Sequence, residues 1–187
     1  MKIRYNLAAA LIITVIVVLV VSISGCTNHT KNTVNNTKTF SEEGLTFSYP
    51  ESWTLNQTQF PQNVSNYNLK QLGTLSAPQG FNVFIEKSAS PASSAEYIQK
   101  FKDLNAMGIS NINTTINSEN NTQINGLNAY EIVMTVNDPQ YDMPQKVLCV
   151  VVEKGQNVYM IQFITEKGSF DEYLPIFNNV TSTIKLE

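Results

Sequence analysis

Arginine and histidine are nearly missing from this chain. Of its 187 residues, the single Arg is Arg4 and the single His is His29, both close to the N-terminus. Beyond them, a Ser-His-Asp triad, a Cys-His pair and a His-ligated zinc are excluded. Charge is scarce too, at 14%, against about a quarter in ordinary domains. With Lys2 and Arg4 set aside, ten lysines face fifteen acids. An acidic domain without Arg lacks the cationic clusters that nucleic acid needs, so no nucleic-acid partner is expected. No Gly-x-Ser-x-Gly nucleophile motif occurs, and no cofactor is expected. Cysteine is limited to Cys26 and Cys149, too few for an internal disulfide if Cys26 is used elsewhere.

What is present begins with an address. Lys2 and Arg4 precede an uncharged run, Leu7 to Gly25, that closes on Ile23-Ser24-Gly25-Cys26. A basic start, an apolar stretch and small residues before a processing point make a secretory signal. The last four residues resemble the lipobox of bacterial and archaeal lipoproteins, in which the Cys becomes the first mature residue and carries lipid on its sulfur. Residues 1–26 are read as that signal, with Cys26 as the lipidation site. The run also approaches the length of a bilayer span, so an uncleaved transmembrane anchor is the alternative. Both readings place the remainder outside the cytoplasmic membrane, on its outer face.

Thr27 to Lys38 contains only Thr, Asn, His, Lys and Val. It is expected to be a disordered polar tether, because it has almost nothing to bury. Asn-x-Ser/Thr sequons occur at Asn28, Asn35, Asn56, Asn63, Asn113, Asn120 and Asn179. They are candidate glycosylation sites, although a chain with 22 Asn produces several by composition alone.

Residues 39–187 are expected to form one domain. Leu45 to Tyr49 alternate apolar and polar residues, as a half-buried strand does. Gln71–Ser76 and Phe81–Glu86 read as a hairpin, with Phe81, Val83 and Ile85 on one face. Ser93 and Glu96 make a capping box for a helix whose stripe is Ala95, Ile98, Phe101 and Leu104. Ser110 to Gln123 is ambiguous between an edge strand and a loop. Tyr130–Val136 alternates, whereas Lys146–Val152 and Val158–Ile164 are apolar on both faces and read as strands covered on two sides. A closing helix is expected after a second capping box, Ser169 and Glu172, with Pro175 bending it or forcing a 3₁₀ start. The fold class is α+β: an antiparallel sheet flanked by helices.

Gly44-Leu45-Thr46-Phe47-Ser48-Tyr49-Pro50-Glu51-Ser52-Trp53 resembles the opening of the PsbP family, a strand ending in Tyr-Pro followed by a Trp. Asn125-Gly126-Leu127-Asn128-Ala129-Tyr130-Glu131 is similar to that family's turn and strand entry. Val158-Tyr159 and Thr183-Ile184-Lys185-Leu186 extend the likeness to the end. The resemblance implies an α/β/α sandwich around an antiparallel sheet and a small extracytoplasmic domain of binding type. Metal-binding His residues discussed for the plant photosystem subunits have no counterpart in this domain, so that role does not carry over.

Cys149 lies in an apolar run and reads as a buried hydrophobe rather than a nucleophile. Trp53 reads as a core plug, with ligand stacking as its alternative. Asp138 and Asp142 lie in an oxygen-rich loop without an EF-hand's ligand set, so calcium binding is expected to be weak at most and no metal site is assigned. Glu42 and Glu43 read as a solvated turn. Phe60 and Tyr67, in a polar loop from Asn56 to Asn68, are candidates for a recognition surface or for folding back onto the sheet. The resulting expectation is a non-catalytic binding or assembly module held at the membrane, with a protein partner in the cell envelope. An enzyme, such as a hydrolase of unrecognised type, is the alternative.

Overall fold

The structure, a computed structural model, describes residues 36–57, 69–89, 93–106, 113–139 and 142–187. Along these run β1 (Thr37–Glu42), β2 (Leu45–Pro50), β3 (Thr54–Asn56), β4 (Leu69–Ser76) and β5 (Asn82–Ala89). Helix α1 (Ser94–Ala106) follows, then β6 (Asn113–Ile124), β7 (Leu127–Asn137), β8 (Gln145–Lys154) and β9 (Asn157–Glu166). A 3₁₀ turn at Lys167–Ser169 leads into α2 (Phe170–Ser182), and β10 (Lys185–Leu186) closes the chain. The leader and residues 27–35, with Cys26, Asn28 and Asn35, lie outside the described residues, as do Phe60, Asn63 and Tyr67. The end of the expected tether is corrected, because Thr37 and Lys38 pair with Pro50 and Tyr49 and begin β1.

Two antiparallel sheets form. The larger runs β3-β4-β5-β9-β8-β7-β6 and the smaller β1-β2-β10. β8 and β9 occupy the middle of the large sheet, which explains why both their faces are apolar: Leu148, Val150, Ile161 and Phe163 point one way, Cys149, Val151 and Met160 the other. Against the first face packs a core of Phe40, Leu45 and Phe47 from the small sheet with Phe170, Phe177 and Val180 from α2. Against the second packs α1, through Tyr97 and Ile98.

The expected helix-sheet-helix sandwich therefore needs correction on one side. That layer is made jointly by α2 and the small sheet, because β2 is apolar on one face only and has to bury Leu45, Phe47 and Tyr49. The first capping box forms reciprocally: Ser93 N–H donates to Glu96 Oε2 at 2.9 Å, and Glu96 N–H to Ser93 Oγ at 3.2 Å. Ala95 of the expected stripe is exposed, and Tyr97 takes its place beside Ile98. The side chains of Phe101 and Leu104 lie outside the described residues. The second box does not form, since Ser169 makes no side-chain cap and the chain enters α2 from a 3₁₀ turn. Ile184 lies past the end of α2 and is fully buried.

The ambiguous Asn-rich stretch is a long edge strand, β6, joined to β7 by Asn125-Gly126. Both turn residues have positive φ, 51° and 79°, the geometry that lets a two-residue hairpin match strand twist. Asn125 uses the exposed turn to donate to the carbonyls of Ser182 and Ile184, both at 2.8 Å. The hairpin tip is thereby pinned to the end of α2.

Candidate functional site

Glu86 is a half-buried carboxylate on a largely apolar face. It sits on β5 between Phe84 and Ser88, on the face of the large sheet that looks toward α1. Its cross-strand partner on β9 is Met160, and Gln162 lies two residues further along, opposite Phe84 on one side and Cys149 on the other. Gln162 Nε2 donates to Glu86 Oε2 at 3.4 Å. Gln162 is only 2% exposed, and its Oε1 has no donor.

Burial pushes the Glu86 carboxyl up to about 7, against a weaker opposing pull from the Gln162 hydrogen bond. Among the described residues, no lysine ion pair reaches the Glu86 carboxyl. Lys70 and Lys87 are bound to Glu43, Lys102 to Glu119 and Lys146 to Asp171, while Lys154 donates to the Leu186 carbonyl. A carboxyl titrating near neutrality is able to take or give a proton, which makes Glu86 the described group best suited to proton exchange. The sequence pattern hid it: Phe81, Val83 and Ile85 marked one buried face and left Glu86 on the apparently wet one. Phe84, two residues before it and 8% exposed, is the signal that the second face is covered as well.

Cys149 is fully buried on that face, and burial followed by the nearby Glu86 charge drives its thiol far above the ordinary range. A thiolate does not form there, so Cys149 packs and does not attack. Ellman's reagent should fail to modify Cys149 in the folded chain and should react fully once the chain is unfolded. Rapid native modification would show that the face opens.

Other candidates separate cleanly. Trp53 is 2% exposed, edge-on to Phe81 at 5.0 Å, and belongs to the core. Asp138 is buried, whereas Asp142 is exposed. Among the described residues no group of three His, Cys, Asp or Glu is placed to hold a metal ion. Glu42 is exposed, but Glu43 is more than a solvated turn residue. Hydrogen bonds from Lys70 and then Lys87 hold its carboxyl below the usual range, and Tyr159 Oη donates to its carbonyl at 2.7 Å. This clasp fastens the β1–β2 turn to the large sheet. Of the sequons, Asn56, Asn113, Asn120 and Asn179 are exposed. Among the described residues, no helix is long and apolar enough to cross a membrane.

The paired sheets and the helix at each side are the architecture of PsbP-like proteins, and comparisons with known proteins agree. The sequence pattern of the PsbP-like protein family matches residues 9–176, and the chain belongs to that family. Cyanobacterial PsbP from Synechocystis is similar in structure, with a TM-score of 0.62 at 13% identity over 86% of this chain and 98% of that one. The Ran-binding protein Mog1p of Saccharomyces cerevisiae shares the fold at a TM-score of 0.54 and 7% identity, over 81% of this chain and 95% of its own. A search of curated proteins finds no match.

Proposed function

We propose that this protein is an extracytoplasmic lipoprotein whose PsbP-like domain binds or assembles with another envelope component and does not catalyse a reaction. The observation that carries the reading is Ile23-Ser24-Gly25-Cys26 at the end of a basic-then-apolar leader. Cleavage before Cys26 and lipid on its sulfur hold the domain at the outer face of the membrane, with the residues from Thr27 up to β1 as the spacer. The chemistry of the domain supports holding over turnover. Its buried thiol is kept protonated, and the near-neutral carboxyl of Glu86 has a carboxamide beside it, with neither nucleophile nor cation paired to it among the described residues. The partner is a protein of the envelope, reached while the lipid keeps the domain close to the membrane.

Mass spectrometry of the mature chain tests the anchor. A lipid-bearing N-terminal Cys26 is expected, and Cys26→Ser should leave an uncleaved precursor or release the protein from the membrane. An unmodified mature N-terminus at another residue would sink the lipoprotein reading. Capture of a stoichiometric envelope protein from solubilised membranes tests the binding role. Turnover in a substrate panel, abolished by one point substitution in the domain, would replace it with the enzyme.

A further inference from the structure

We infer that the outer edge of β6 is a pairing edge for a second copy of this chain, two β6 strands meeting antiparallel about a two-fold axis at Asn121. Among the described residues β6 ends the large sheet and pairs with β7 alone. Such an edge presents a row of backbone N–H and C=O groups, and proteins ordinarily block it with Lys, Pro, a bulge or shortness. The opposite edge of the same sheet follows that rule, for β3 has three residues. β6 has twelve, with no Lys, Arg, Pro or Gly among them. Its one irregularity lies between Ile116 and Ser118 and leaves Ser118–Ile124 a regular, seven-residue template. Every residue from Ser118 to Asn121 is exposed.

Charge selects the occupant. The chain carries a net −3, so most pairs of identical surfaces set like charges against each other. β6 avoids this. Its only charged residue, Glu119, is engaged by Lys102 of α1. An antiparallel register about Asn121 sets Asn120 opposite Thr122, Glu119 opposite Gln123 and Ser118 opposite Ile124. No like charges face one another, and Asn120 and Glu119 meet polar partners in Thr122 and Gln123, while Ser118 faces Ile124. Two such edges join the large sheets into one continuous sheet across the dimer. A foreign strand would gain the same backbone bonds but would need its own match to this uncharged row.

Sedimentation of the purified full chain across a concentration series should show a monomer–dimer equilibrium. Asn121→Lys and Asn121→Glu should each be monomeric, since each sets like charges on the axis. Mixing the two variants should restore the dimer. Facing positions on antiparallel strands lie about 4.5–5.5 Å apart, within disulfide reach. Asn121→Cys should therefore cross-link on oxidation, and Asn179→Cys, exposed on α2, should not. Unchanged Trp53 emission in each variant checks that the fold is kept. A monomer at every concentration overturns the proposal. So does a dimer indifferent to Asn121→Lys, or a glycan found on Asn120, which would occupy the edge.

Discussion

Trp53→Ala is expected to lower the midpoint of thermal unfolding by roughly 10 °C. The side chain is 2% exposed and heads a chain of rings. Its edge meets Phe81 at 5.0 Å, Phe81 meets Phe177 at 5.0 Å, and Phe177 meets Phe163 at 4.5 Å. The Trp53 N–H donates to the Pro50 carbonyl at 3.0 Å, so the Tyr-Pro turn delivers the ring to this place. Truncating a buried aromatic costs about 3–5 kcal/mol, the lost transfer energy plus the cavity. For a chain of this size each kcal/mol moves the midpoint by about 2–4 °C. Trp53 is also the only Trp, so the wild-type emission reports this site alone. It should be blue-shifted and poorly quenched by iodide. Ready quenching, with stability unchanged in the variant, would return Trp53 to the surface.

Glu86→Gln should stabilise the fold above neutral pH and hardly at all at pH 5. The folded-state carboxyl titrates at about 7, raised from 4.5 by burial. The native protein therefore holds this proton more tightly than the unfolded chain. Its contribution is fully present below the unfolded value near 4.5 and is lost as pH rises toward 7. Above 7 the charged form burdens the fold. A shift of this size corresponds to about 3 kcal/mol, and the residual solvent contact of the side chain lowers that to about 2 kcal/mol. The wild-type midpoint should fall between pH 5 and pH 8 by roughly 6 °C more than that of the variant. Parallel pH profiles would mean that Glu86 is solvated and ordinary.

The two residues show what patterning reveals. Trp53, Cys149 and the two-sided strands β8 and β9 were legible because large apolar side chains announce burial wherever they occur. The turn at Asn125-Gly126 was read through its likeness to the PsbP family's strand entry, whereas the hairpin it closes is seen in the positive φ of both residues. β6 was half legible, as an edge strand or a loop, since it is held by backbone pairing to β7 while most of its side chains face water, and hydropathy does not record a hydrogen-bond ladder. Glu86 was missed for a related reason. Alternation tells which residues share a face, but not that α1 packs on that face or that β9 and β8, far off in sequence, extend it with apolar side chains. The Glu43 clasp was equally distant, since Lys70, Lys87 and Tyr159 arrive from three different strands.

The small sheet also sets an order of events. β2 lies between the first strand and the last, with Leu45 facing both Glu42 and Leu186. Ser48 N–H, further along β2, finds its acceptor in Thr183 Oγ1 at 2.9 Å. The backbone N–H of Glu187 reaches back to the Gly44 carbonyl at 2.9 Å. A hairpin of β1 and β2 forms quickly, whereas closing a loop that spans almost the whole domain is slow. The sheet carrying Leu45 and Phe47 is thus finished only when the final residues arrive. Pairing of β10 with β2, across about 140 residues of chain, therefore belongs among the late events of folding.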